Sequence, residues 1–270
     1  MLKKLVLGMV ALLGLAGQSR GDILYSTVGS TTVIDFTGYT GAGFQSTPTV
    51  GQLDSDDWAA TGWSDGDLVF GGTRTTASTD YTRGVSNTTE STGGFYAFSN
   101  ITGTTGTSFG IQPGGSDWAP GTVTLQIRNT TGSTLNSVNI GYDLFVRNDQ
   151  NRSNSFNLSY TTGTLNTPGS FTNQDAFTST AAADVVPLGW VNQRSTGTLT
   201  TISTTLNNNE SIFFRWSGAD VGGSGSRDEF AIDNITFSGI TAVPEPTTLA
   251  LVCLIGSTGL VARYRRRKAK

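Results

Sequence analysis

Four stretches of this chain place apolar residues at every second position. That period of two belongs to strands with one face against a core. In residues 122–128, Val123, Leu125 and Ile127 share one face. In residues 137–147 the shared face is Val138, Ile140, Tyr142, Leu144 and Val146. In residues 155–160 it is Phe156, Leu158 and Tyr160, and in residues 211–217 it is Ile212, Phe214 and Trp216. Weaker strands are expected at 32–37, 67–70, 94–98 and 198–206. No stretch between the two ends shows a helical stripe, and the 35 glycines with abundant Thr, Ser and Asn disfavour helix.

Turn signals separate these runs: residues 129–132, Asn148-Asp149-Gln150-Asn151, and residues 206–209. The spacing predicts an all-β, two-sheet antiparallel sandwich of jelly-roll-like form. The last run, residues 229–239, breaks phase. Phe230 and Ile232 fall on one face, Ile235 and Phe237 on the other. Either both faces are covered or a bulge sits near Asp233-Asn234. Residues 228–235, Asp-Glu-Phe-Ala-Ile-Asp-Asn-Ile, also resemble the closing strand of MAM-like jelly-roll adhesion domains. Asn234 stands where that family has a second Asp, and the family's cysteines are missing. The resemblance implies a fold and no activity.

The two ends differ from this body. Met1-Leu2-Lys3-Lys4, an apolar run from Leu5 to Ala16, and small residues at Gly17, Ser19 and Gly21 describe a signal peptide over 1–21, to be cut by signal peptidase. At the other end stand Val243-Pro244-Glu245-Pro246, an apolar stretch over 247–262, and a cluster containing Arg263, Arg265, Arg266 and Arg267. As a helix the apolar stretch covers about 24 Å, and flanking Arg and Lys can snorkel to span a core of about 30 Å. The basic cluster then stays in the cytoplasm and the body lies outside.

This tripartite tail resembles the PEP-CTERM sorting signal of bacterial surface proteins. The resemblance implies recognition by exosortase, a membrane-embedded transpeptidase-like enzyme, in cells that make extracellular polysaccharide or biofilm. It gives Pro244, Glu245 and Pro246 the recognition role and Arg263 to Arg267 the stop-transfer role. The expected organisation is a signal peptide and signal helix at 1–21, one sandwich at 22–240, and a sorting signal with a transmembrane helix at 241–270. A split at 85–92, a polar run, is the alternative.

Removing both ends changes the charge. The body from 22 to 243 keeps eight Arg and no Lys against 19 acids, a net charge of −11 where the whole chain has −3. Such a body lacks the basic patch that nucleic acid needs. With no His there is no Ser-His-Asp or Cys-His triad and no His-ligated zinc. The single Cys253 lies in the apolar tail, so the body has no disulfide and no CxxC pair.

Two loop clusters remain as candidate sites. Asp220, Asp228, Glu229 and Asp233 flank a Gly-rich loop and could bring carboxylate oxygens to calcium; the bland reading pairs them with Arg215 and Arg227. Asn148, Asp149 and Arg152 join two good strands and could bind sugar hydroxyls, with Trp63, Trp118 or Trp190 as stacking faces; the bland reading is a hairpin loop held by Asx turns. Paired acids at Asp54, Asp56 and Asp57, or Asp65 and Asp67, could serve a glycosidase. Gly106-Thr107-Ser108-Phe109-Gly110 fits a nucleophile elbow in pattern but lacks a His base and a following helix.

The expectation is therefore a non-enzymatic, exported, exosortase-sorted protein of the cell surface or extracellular matrix, with a membrane-anchored precursor and an association with exopolysaccharide. A calcium-dependent carbohydrate-binding module is the alternative, and a secreted glycan-active hydrolase a further one.

Overall fold

The computed structural model describes residues 22–179 and 189–241. The expected signal helix, the transmembrane helix, the sorting motif and the Arg cluster lie outside the described residues. Among the described residues all regular structure is β.

The alternating runs form the centres of two sheets. In the first, Gly121–Asn129 pairs antiparallel with Ser211–Gly218, which pairs antiparallel with Asn157–Thr164. Its edges are Trp58–Thr61 and Leu24–Tyr25 on one side, and Thr167–Pro168 and Thr172–Asp175 on the other. In the second, Leu135–Arg147 pairs antiparallel with Glu229–Ile240, followed by Thr107–Gln112 and Gly94–Ser99. Thr200–Leu206 and Val191–Arg194 close the free edge of Leu135–Arg147. The segment before residue 85 adds Trp58–Thr61 to the first sheet and Thr32–Ile34 to the second. Of the weaker expected strands, residues 67–70 make only a single bridge, between Leu68 and Ala60.

The faces named from periodicity all meet between the sheets. Val123, Leu125, Ile127, Leu158, Ile212, Phe214 and Trp216 enter from one side. Val138, Ile140, Tyr142, Leu144 and Val146 enter from the other. Trp216 is fully buried, edge-on to Tyr142 at 5.5 Å and stacked on Trp58 at 6.4 Å. Such pairs add about 0.5–1.5 kcal/mol each beyond the area they bury. Phe36, Phe44, Tyr81, Phe95 and Phe109 extend the same cluster.

The phase break in the closing strand is a bulge. Gly141 faces Thr236 and Asp143 faces Asp233, so Glu229–Ile240 carries one residue more than its partner there. The extra residue turns the strand over. Phe230, Ile232, Ile235 and Phe237 all enter one core in consequence. Asn234 adopts φ 48°, a left-handed conformation that Asn tolerates better than other residues bearing a side chain. Its amide donates to Asp143 Oδ2 at 2.8 Å, and its backbone N–H to Asp233 Oδ1 at 2.7 Å. Asn234→Ala should cost about 2 kcal/mol, from lost hydrogen bonding and left-handed strain. Asn234→Gly should cost clearly less, because glycine removes the strain. Urea denaturation of the two variants checks the order.

Two of the expected turns are tied together. Asn129 Oδ1 accepts from Thr131 N–H at 3.1 Å, an Asx turn, and its amide donates to the Leu206 carbonyl at 3.0 Å. Asn208 Oδ1 accepts from Gly132 N–H at 2.9 Å. These loops are held by side-chain amides, which explains the wealth of Asn at 129 and 207–209.

Candidate functional site

The two candidate loops, read separately in the sequence, meet at one end of the sandwich. Arg152–Asn154 and Asp220–Gly223 form a two-stranded ribbon. Arg152 holds Asp220 with both Nε and an amino group, at 2.9 and 2.5 Å. That contact draws the Asp220 carboxyl below the usual range. Gln150 N–H donates to Asp228 Oδ1 at 3.2 Å. One step further in, Arg147 Nε donates to Asp149 Oδ2 at 2.9 Å.

Glu229 lies beneath this ribbon, fully buried, and accepts from Glu90 N–H at 2.5 Å. Burial pushes its carboxyl up to about 9, and the neighbouring Asp149 charge pushes the same way. Glu229 therefore carries the proton at neutral pH. Thr89 Oγ donates to the same Asp149 at 2.5 Å. The loop 86–92 is thus held by two carboxyls, Glu229 through Glu90 N–H and Asp149 through Thr89 Oγ.

Arg227 clamps another loop. It is 1% exposed and has no carboxylate partner among the described residues. Its guanidinium donates to the carbonyls of Gly114, Gly115 (3.2 Å), Asp117 (3.3 Å) and Trp118 (3.1 Å). Between the clamped loops lies a polar cleft of about 220 Å³, walled by Ser91, Gly114, Arg152, Gly225, Ser226 and Arg227. The importance of Arg227 was not legible in the sequence, because its acceptors are backbone carbonyls more than a hundred residues away.

The structure does not bring the four acids proposed for calcium together. Asp220 is held by Arg152. Asp233 sits at the bulge, where Ser108 Oγ donates to it at 2.8 Å. Four residues of strand separate Glu229 from Asp233, about 13 Å. Among the described residues no group of three or more candidate ligands is placed to hold a metal ion. Of the sugar-binding trio, Arg152 lines the cleft, and the Asp149 side chain is 2% exposed and tied to Arg147, Thr89 and Gln150. Asn148 stays in the connecting loop, part-buried.

The stacking faces need correction. Trp63 and Trp118 are core residues, 5.7 Å apart, and cannot meet a sugar. Close packing of the Trp118 indole explains Gly218, whose added Cβ would lie 1.7 Å from Trp118 Nε1. Trp190 packs on Phe98 at 4.8 Å. The Gly106–Gly110 pattern is no elbow: Thr107–Gln112 is a strand, and Ser108 is buried against Asp233. Asp57 is buried with its carboxyl pushed up to about 8, first by burial and then by Asp54, Asp22 and Asp56, and it accepts from Ile23 N–H. Asp65 and Asp67 accept from the N–H groups of Asp80 and Gly62, so they tie loops.

Comparison with known proteins reaches only the tail with force. Residues 242–268 match the family model described as PEP-CTERM protein-sorting motif. The chain carries a PEP-CTERM sorting signal. It implies an exported protein recognised by exosortase. The match spans the Val243–Pro246 motif and the Arg263, Arg265, Arg266 and Arg267 cluster together, the tripartite order on which the resemblance rested. No curated protein matches the chain. Among solved structures, a crystal structure of a non-crystalline cellulose specific carbohydrate-binding module is similar at 12% identity and a TM-score of 0.34, over 54% of this chain and 80% of that one. A likeness of that extent bears on neither ligand nor activity.

Proposed function

We propose that the chain is a non-enzymatic protein of the cell surface or extracellular matrix, made as a membrane-anchored precursor, cut by signal peptidase and exosortase, and associated with exopolysaccharide. The sorting signal at 242–268 carries this reading. The body at 22–240 is then the delivered part, one sandwich whose acidic charge keeps it soluble outside the cell. Replacing Pro244-Glu245-Pro246 with three alanines in the producing cells tests it. Full-length precursor should accumulate in the membrane fraction, and the processed surface form should fall at least about tenfold, as expected when a recognition motif is removed. A variant processed and distributed like the wild type would sink the reading.

Carbohydrate binding is the second reading, favoured by the polar cleft where residues 148–152 and 220–229 converge. In that reading Arg152 is the member of the Asn148, Asp149 and Arg152 trio placed to touch a ligand. The full chain in mild detergent should then bind extracellular polysaccharide from the same cells saturably. Absence of binding would remove this reading and leave the sorting proposal intact.

A further inference from the structure

Eight arginines stand between residues 22 and 243, and most have an obvious structural task. Arg83, Arg128, Arg147, Arg152 and Arg194 each face a carboxylate. Arg227 holds backbone carbonyls, and Arg74 donates to the Asp67 carbonyl. Arg215 is different. It stands mid-strand in Ser211–Gly218, part-buried, on the outer face of the first sheet.

Two contacts fix its guanidinium. Nε donates to Thr124 Oγ at 3.1 Å, and the plane lies over the Phe171 ring, with Cζ 3.6 Å from the centroid. Among the described residues no carboxylate pairs with it, and no acceptor meets its two terminal amino groups. Burial draws its pKa downward. A partly desolvated cation without a counter-ion is costly. What it leaves open is the end of the fork, a planar pair of amino groups whose geometry matches a carboxylate.

The surrounding face is small and hydroxyl-rich. Arg215 is flanked in register by Thr124 and Ser159. The next row on the same face holds Ser217 between Thr122 and Asn157, and Thr122 shares a 2.8 Å hydrogen bond with Thr61. Thr122, Ser217 and Asn157 are part-exposed and Thr61 is exposed. These groups can meet the hydroxyls of a ring held at Arg215.

The geometry points to a binding site for a carboxylate-bearing saccharide, a uronate unit, on the outer face of the first sheet, with Arg215 taking the carboxylate. Phe171 holds the guanidinium plane; Thr124 and Ser159 are buried and brace Arg215, and the accessible Thr61, Thr122, Ser217 and Asn157 take the sugar hydroxyls. This site rests on the polysaccharide reading and is separate from the cleft at Arg152. The net charge of −11 does not forbid it for a short ligand. At physiological salt, charges beyond about 8 Å are screened, so the contact at Arg215 decides.

The test uses the full chain in mild detergent, with hexagalacturonate and cellohexaose as acidic and neutral probes, followed by calorimetry. The wild type should prefer hexagalacturonate. Arg215→Gln should weaken it by at least about tenfold, the value of a bidentate charged pair. Arg215→Lys should also weaken it, since a point charge replaces the stacked fork. Arg128→Gln should bind within about twofold of the wild type, because Arg128 already faces Asp22 and stands four residues along its strand from Thr124. Circular dichroism and thermal unfolding confirm that each variant is folded. Equal hexagalacturonate binding by wild type and Arg215→Gln would overturn the site while the polysaccharide reading stood. Binding of cellohexaose alone would overturn the acidic specificity. Binding of neither probe would overturn the site, and the polysaccharide reading falls only if the native polysaccharide also fails to bind.

Discussion

Methionine in place of Arg227 is expected to destabilise the fold by about 3–5 kcal/mol, as removing one member of a buried polar assembly does. The side chain has similar reach and packs well, so volume is nearly kept. The donors are lost. The carbonyls of Gly114, Gly115, Asp117 and Trp118 would then lie without their present partner. Each buried acceptor left unsatisfied costs about 1–3 kcal/mol, less where water enters. At about 2–4 °C per kcal/mol for a chain of this size, Tm should fall by about 10 °C. Arg152→Met gives the contrast. Its ion pair with Asp220 is part-exposed, with side chains 27% and 34% accessible, so the change should stay within about 1 kcal/mol. Urea unfolding followed by tryptophan fluorescence reads both. A cost for Arg227→Met under about 1 kcal/mol would show that the loop carbonyls find other donors.

Glutamine in place of Glu229 should stabilise the protein at alkaline pH. The folded carboxyl titrates near 9, well above the ordinary 4.5, chiefly through burial. The folded state therefore holds a proton that the unfolded state releases between those values. This group's contribution to stability is full below about pH 4.5 and is lost as pH rises through 9. Glutamine stays neutral, accepts from Glu90 N–H through its carbonyl and can donate to Asp149. The variant should match the wild type near pH 4 and exceed it in Tm by about 5 °C near pH 8.5, from a gain on the order of 1–2 kcal/mol. Asp57, pushed up to about 8, has the same sign, so some pH dependence will remain. Equal Tm values at pH 8.5 would remove the buried-proton account of the clamp.

Much of the fold was written in periodicity. Val123, Leu125 and Ile127 or Ile212, Phe214 and Trp216 are local patterns, and a strand with one apolar face has one place to put it. The bulge was legible for the same reason: Phe230, Ile232, Ile235 and Phe237 cannot share a face without an extra residue. Short strands such as Trp58–Thr61 and Val191–Arg194 carry no such signal. They form because a long strand beside them has an unpaired edge.

The candidate sites were legible only as loops. Asn148–Arg152 and Asp220–Glu229 announced themselves by composition, but nothing in the sequence said that they touch. Their contact depends on the pairing of Leu135–Arg147 with Glu229–Ile240, strands about ninety residues apart. The fold gives the four prospective calcium ligands four separate tasks: Asp220 in an ion pair, Asp228 accepting from Gln150 N–H, Glu229 as a buried acid and Asp233 at the bulge.

The sequence by itself determined the all-β class, the faces of the long strands and the sorting signal, because each is encoded by neighbours within about a dozen residues. Tertiary structure alone decided which polar side chains are occupied and which are open. Arg227 and Arg215 look alike in the chain, twelve residues apart. One is consumed by distant carbonyls, and the other, stacked on Phe171, leaves its fork to solvent. Hydrogen-bond satisfaction is a property of what the fold brings near, and a linear sequence does not contain it.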